Sequence, residues 1–305
     1  MLSNAAAQNG VIMLYFLLSS LSFTARNLVN KEYTRRFSSK DSNLFFNTIG
    51  LTVTAVICAL IGGFVKPSAL LLLLAALFGV CFIATVYFLI VSYSKGPLGL
   101  VQLVYGMSSV VPICVGIFMF NEPMSWLKGL GFICVLAVIF LSWRDKEAKN
   151  SKSVYIPAKV WLPVTLLTTL LNGLLSAIQK MMVQWCPGFS TNAFNFWAFS
   201  IGALFGWTVL LIMKMRGKRY ADVAKSPKAF TLIALCCGLF SSGGNILIMY
   251  ALLTIPASVC NPALSTLNTI IIYLISLFYY KEGHSKYGFL MIGMGILSIF
   301  LLALG

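Results

Sequence analysis

Apolar residues run along this chain in long stretches separated by short polar connections, and the length of a stretch decides what it can be. A helix rises about 1.5 Å per residue, so about 20 mostly apolar residues cross the hydrocarbon layer of a bilayer. Runs of that kind lie near 11–30, 43–65, 68–92, 97–120, 125–143, 160–183, 191–213, 229–254, 256–280 and 285–304. The pattern predicts an all-α integral membrane protein of ten transmembrane helices. Besides short loops it leaves only two longer charged connections, 144–159 and 214–228, so there is no room for a soluble catalytic domain.

Composition agrees with the pattern. Of the 305 residues, 59% are apolar or aromatic and 10% are charged, against roughly 25% charged in a soluble domain. A net charge of +15 would suggest nucleic acid in a soluble protein. Here the positive residues sit between apolar runs, where anionic headgroups and the orientation rule of membrane insertion account for them, and no nucleic-acid partner is expected. The connections following or bordering spans 1, 3, 5, 7 and 9 hold 18 of the 22 Lys and Arg residues. The positive-inside rule makes those connections cytoplasmic and places both termini outside. Seven of the eight cysteines fall inside apolar runs and Cys186 in a connection, so neither a disulfide framework nor metal-ligand spacing is present. Residues 1–10 lack the positive segment of a cleaved leader, and the first run is expected to stay as a span.

The two halves of the sequence are alike. Span 4 starts at Pro97 and ends at Asn121-Glu122, while span 9 starts at Pro256 and ends at Lys281-Glu282. Likewise Asn30-Lys31 at the end of span 1 corresponds to Gln179-Lys180 at the end of span 6. A unit of five spans followed by its own copy emerges upside down relative to the first, because five is odd. The expected architecture is therefore two inverted five-helix repeats, residues 1–150 and 151–305.

With these features the chain resembles the EamA-like transporters of the drug/metabolite transporter superfamily. The resemblance rests on the ten spans in two repeats, on Pro97 through Pro112 to Glu122 and Gly129, and on the weaker copy from Pro256 to Glu282 and Gly288. In the second copy Ile272 stands where the first has Pro112. The resemblance implies a carrier whose spans 1, 3, 4, 6, 8 and 9 surround a central cavity, with spans 5 and 10 peripheral.

Polar residues are costly against lipid, so a polar stripe at helical spacing marks a face turned elsewhere. Gln102, Tyr105 and Ser109 form such a stripe on span 4, and Asn261, Ser265 and Asn268 repeat it on span 9. Span 6 contributes Asn172, Ser176 and Gln179 beside Thr168. Span 1 has Ser19, Ser22, Arg26 and Asn30, and span 8 has Ser241, Ser242 and Asn245. With the aromatic hydroxyls Tyr87 and Tyr250, these are the candidate solute-binding groups; the competing reading is hydrogen bonding between helices, worth about 0.6 kcal/mol each. Pro97 and Pro256 suit helix starts, whereas Pro112 and Pro262 lie deeper and permit bending, so all four are candidate hinges. Gly202 and Gly206 form a small-residue pair on span 7 suited to packing within the bundle rather than to a dimer contact.

None of the seven acids falls mid-span, which disfavours proton-driven efflux of cations. Arg26 and Lys180 are available to a carboxylate, with snorkelling to the interface as the competing reading. Lys31 with Glu282, and Lys180 with Glu122, are candidate gates at opposite mouths, against the reading that each Glu favours the positive end of the following helix. His284 stands in a polar loop, and neither a metal nor a cofactor is expected. The sequence thus points to a multi-pass carrier in a plasma or inner membrane. It would move a small polar metabolite, amino-acid-like and neutral, zwitterionic or anionic, by alternating access as an exporter or exchanger. The alternatives are a multidrug efflux pump and, from another class, a non-transporting scaffold or accessory subunit. Enzymatic activity is not expected; the partners are a small solute and membrane lipids, with the chain a monomer or homodimer.

Overall fold

The computed structural model describes residues 2–37, 40–62, 65–121, 124–144, 157–217, 226–253, 257–282 and 286–304. Among them every regular element is helical. The helices are α1 (Leu2–Arg36), α2 (Lys40–Gly62), α3 (Ala69–Lys95), α4 (Leu98–Phe120), α5 (Trp126–Arg144), α6 (Ala158–Trp185), α7 (Thr191–Met215), α8 (Pro227–Leu252), α9 (Ala257–Phe278) and α10 (Lys286–Leu304). Six of them, α2, α3, α4, α6, α7 and α8, are long and apolar enough to cross a membrane. Shorter apolar stretches occupy Trp126–Val138 in α5, Ala263–Phe278 in α9 and Phe289–Ser298 in α10. Glu122, Pro256 and His284 lie outside the described residues, as does the side chain of Pro262.

Helix ends follow local chemistry. Gly217, at φ 77°, closes α7 in the left-handed region that glycine adopts freely. Beyond α4 and α9 one residue each has a positive φ: Asn121 and Lys281 both have φ 51°, and each directly precedes a glutamate. Asparagine tolerates this conformation, whereas a lysine there opposes its own Cβ sterics.

The chain divides into two compact units. The first comprises Met1–Tyr87 and Ile178–Ile255, that is α1, α2, most of α3, the end of α6, α7 and α8. Its helices approach closely through glycines. A Cβ on Gly202 of α7 would lie 2.9 Å from the Gly79 carbonyl oxygen of α3, and one on Gly206 would lie 2.5 Å from Thr48 Oγ1 of α2. This small-residue pair therefore packs against neighbours in its own chain. Thr54 Oγ1 of α2 donates to the Gly238 carbonyl of α8 at 3.1 Å, and Ser19 Oγ of α1 donates to that of Gly244 at 3.0 Å. Tyr33 and Phe46, 4.1 Å apart and stacked, gather with Phe37 and Phe230 into an aromatic core.

The second unit comprises Phe88–Ala177 and Pro256–Gly305, that is the end of α3, α4, α5, most of α6, α9 and α10. Within it α4 is interrupted by one tight 3-10 turn at Met107–Ser109. Pro112 explains the interruption: its ring nitrogen has no proton for the Ser108 carbonyl, and the ring crowds that carbonyl. The displaced Ser108 oxygen lies against α6 at Gly173, where an added Cβ would meet it at 2.6 Å and Val111 at 2.5 Å. Gly106 faces Thr269 of α9 in the same close manner.

Candidate functional site

In the second unit the polar stripe of α4 meets α6. Tyr105 OH donates to Asn172 Oδ1 at 2.7 Å, and Asn172 Nδ2 donates in turn to Ser108 Oγ at 2.7 Å. Thr169 Oγ1, one turn earlier on α6, reaches the Val104 carbonyl at 3.1 Å, and Ser176 Oγ back-bonds to the Asn172 carbonyl at 3.3 Å. Gln102 is buried and accepts from Tyr93 OH at 2.8 Å. Asn261 and Asn268 of α9 are buried, and Ser265 is half-buried with its carbonyl facing Gly106. Ser109 Oγ, Asn261 Nδ2 and Thr269 Oγ1 are buried polar atoms with no hydrogen-bond partner. An apolar bundle has no use for such atoms, since each lost partner costs about 1–3 kcal/mol.

In the first unit the corresponding groups come from α1, α7 and α8. Asn192 Nδ2 donates to Tyr250 OH at 2.8 Å, and the Tyr250 ring lies 5.8 Å from that of Tyr15. Asn245 Nδ2 donates to the Ser241 carbonyl at 2.8 Å, and Cys237 Sγ donates to Asn30 Oδ1 at 3.3 Å. Asn30 Nδ2, Ser241 Oγ, Asn192 Oδ1 and Asn195 Oδ1 are buried without partners. Gln179 is buried and Tyr87 half-buried. Asn192 and Asn195 escaped the sequence reading. Their spacing of three puts them on one face of α7, a signal that was present but lay outside the spans that the family resemblance puts around the cavity.

Arg26, Lys31 and Lys180 are exposed by only 5%, 3% and 6%. Glu282 is equally buried, and its Oε2 accepts from Ser276 Oγ at 2.6 Å and from the backbone N–H groups of Leu98 at 2.6 Å and Gly99 at 3.4 Å. It thus serves the positive end of α4. Pro97, the residue before α4, offers no side-chain cap, so Glu282 supplies the acceptor that these first N–H groups need. The eight cysteines are free thiols. Cys186, in the connection after α6, is buried, and burial raises its pKa above the ordinary thiol value. No group of three or more metal-ligating residues occurs among the described residues.

Residues 160–304 match the family model described as the EamA-like transporter family. No curated protein shows significant similarity to the chain.

Proposed function

Because residues 160–304 belong to the EamA-like transporter family, part of the drug/metabolite transporter superfamily, we propose that this chain is a multi-pass carrier of a plasma or inner membrane that exports or exchanges a small polar metabolite by alternating access. The observation that carries the reading is the set of buried, unpartnered amide and hydroxyl atoms on α1, α4, α7, α8 and α9. A packing scaffold gains nothing from them, whereas a solute passing along these faces would complete their hydrogen bonds.

In this reading the ten helices form two inverted five-span repeats, 1–150 and 151–305. The positive φ shared by Asn121 and Lys281, each next to a glutamate, supports the repeat. Gln102, Tyr105, Ser109, Asn172, Ser176, Gln179, Asn245, Asn261, Ser265, Asn268, Tyr87 and Tyr250 bind the solute. The prolines 97, 112, 256 and 262 serve as hinges. Lys31 with Glu282 and Lys180 with Glu122 alternate as gates, so that rocking breaks one pair while it forms the other.

The test is uptake of a panel of radiolabelled amino acids and other metabolites into proteoliposomes, with and without a proton gradient. Saturable flux of at least one polar solute is expected. Zero flux for every solute from a correctly folded sample would overturn the carrier reading in favour of a scaffold.

A further inference from the structure

Within the first unit one buried cation has no counter-charge. Arg26 carries a planar guanidinium cation with five N–H donors and no acceptor. It is 5% exposed, its Nε has no hydrogen-bond partner, and Nη2 reaches only Asn27 Oδ1 at 3.4 Å. Among the described residues no carboxylate is paired with it; Glu32, on the same helix, is engaged by Arg35 and Arg36 at 3.1 and 2.7 Å. The rings of Phe23 and Phe82 lie 5.1 and 5.8 Å from the guanidinium carbon. Such faces are worth about 0.5–2 kcal/mol each, less than the several kcal/mol that burying an ion costs.

One helical turn further on, Asn30 is fully buried on the same face of α1. Its Oδ1 accepts the Cys237 thiol at 3.3 Å, which leaves Nδ2 as a second buried donor without a partner. A full positive charge and an amide N–H therefore stand one turn apart, walled by two phenylalanines, with no acceptor supplied for either free donor.

We propose that Arg26 and Asn30 form the anion-recognising part of the solute site and that the solute they take is an organic carboxylate with an apolar body. This rests on the carrier reading for its passage across the membrane but not for its binding. A carboxylate fits because its two oxygens match the planar guanidinium edge and still have lone pairs for Asn30. A neutral solute leaves the charge unmatched and a cation is repelled. Inorganic phosphate has no apolar body to set against the aromatic walls.

The test is thermal unfolding of the full chain in detergent with 3-phenylpropionate, with its neutral amide and with inorganic phosphate. The wild type is expected to gain about 3 °C with millimolar carboxylate and nothing with the other two. Arg26→Gln and Arg26→Met should lose the gain, Asn30→Ala should need about tenfold more ligand, and Arg26→Lys should keep a reduced gain. An unfilled anion site also predicts that ligand-free Arg26→Met melts no lower than wild type, because an uncompensated charge has been removed. An equal gain with the amide, an undiminished gain in Arg26→Gln or Arg26→Lys, or no gain in the wild type would overturn the proposal. So would a ligand-free Arg26→Met that melts several degrees lower, since the charge would then be structural. Carboxylate binding without flux of any solute would end the carrier reading and leave this site standing; flux without carboxylate binding would do the reverse.

Discussion

The carboxylate of Glu282 accepts the backbone N–H of Leu98 at 2.6 Å, so the residue just beyond α9 caps the first turn of α4. The same Oε2 takes Ser276 Oγ at 2.6 Å, and Lys281 adopts a left-handed backbone immediately before it. Hydrogen bonds to a charged acceptor contribute about 1.5–3 kcal/mol, and burial raises the cost of losing one. Glu282→Ala is expected to lower stability by about 2–3 kcal/mol, with Glu282→Gln losing roughly half as much, as read from thermal unfolding in detergent. Equal stability of all three proteins would show that the cap is idle.

The freed carbonyl of Ser108 needs the absence of a side chain at Gly173. Gly173→Ala brings a methyl to about 2.5 Å from Val111 and the Ser108 oxygen, and overpacking of this kind costs about 1–3 kcal/mol. Gly129→Ala is the control, because nothing lies within 4 Å of its added Cβ. Alanine's helix propensity should stabilise that variant by up to about 1 kcal/mol. Equal effects of the two substitutions would refute the close approach of α4 and α6.

How much of this was legible in the sequence depended on the kind of signal. Among the described residues a helix stands at each of the ten apolar runs, because apolar length is a local property, and six of these helices are long and apolar enough to cross a membrane. Hydropathy gave the ends poorly where a helix continues past its apolar stretch, as α1 does to Arg36 against an expected end near residue 30. The polar stripes on α4 and α9 were readable because helical spacing alone puts residues on one face. Which atoms would lack partners was not, since the pairing of Asn172 with Tyr105 and Ser108 depends on how α6 packs on α4. Arg26 illustrates the limit: a cation in a span reads equally as snorkelling or buried until its neighbours are known. Glu282 was expected either in a gate or at the start of the helix that follows it, and its hydrogen bonds to α4 come from a fold contact that no local rule supplies. Gly202 and Gly206, by contrast, were assigned to packing within the bundle and pack that way.

Tyr105 and Asn172 act through one hydrogen bond, so their substitutions should not be additive. In a double-mutant cycle, Tyr105→Phe with Asn172→Ala is expected to show a coupling of about 1 kcal/mol in unfolding free energy. Both single variants should also reduce solute flux. A coupling near zero, with flux unchanged, would remove the pair from the candidate site.

Cys186 lies in a connection yet is 5% exposed, and burial raises its pKa. The sign follows directly: a raised pKa means less thiolate at pH 7–8.5 than an ordinary thiol has, and the thiolate is the reacting form. Maleimide labelling of Cys186, followed by mass spectrometry, should therefore be slower than that of a free thiol and should accelerate as pH rises. Labelling as fast as free glutathione at pH 7 would contradict the burial.

The account as a whole depends on the unpartnered polar faces being reached by water from each side of the membrane in turn. Ser109→Cys is a near-isosteric probe of that claim, since its buried Oγ has no partner. The measurement is modification of this variant in proteoliposomes by a small membrane-impermeant methanethiosulfonate, applied from outside or from inside, with the wild type as the reference for native thiols. Modification of residue 109 from either side, blocking flux in both cases, is the result predicted; no modification from either side would contradict the account.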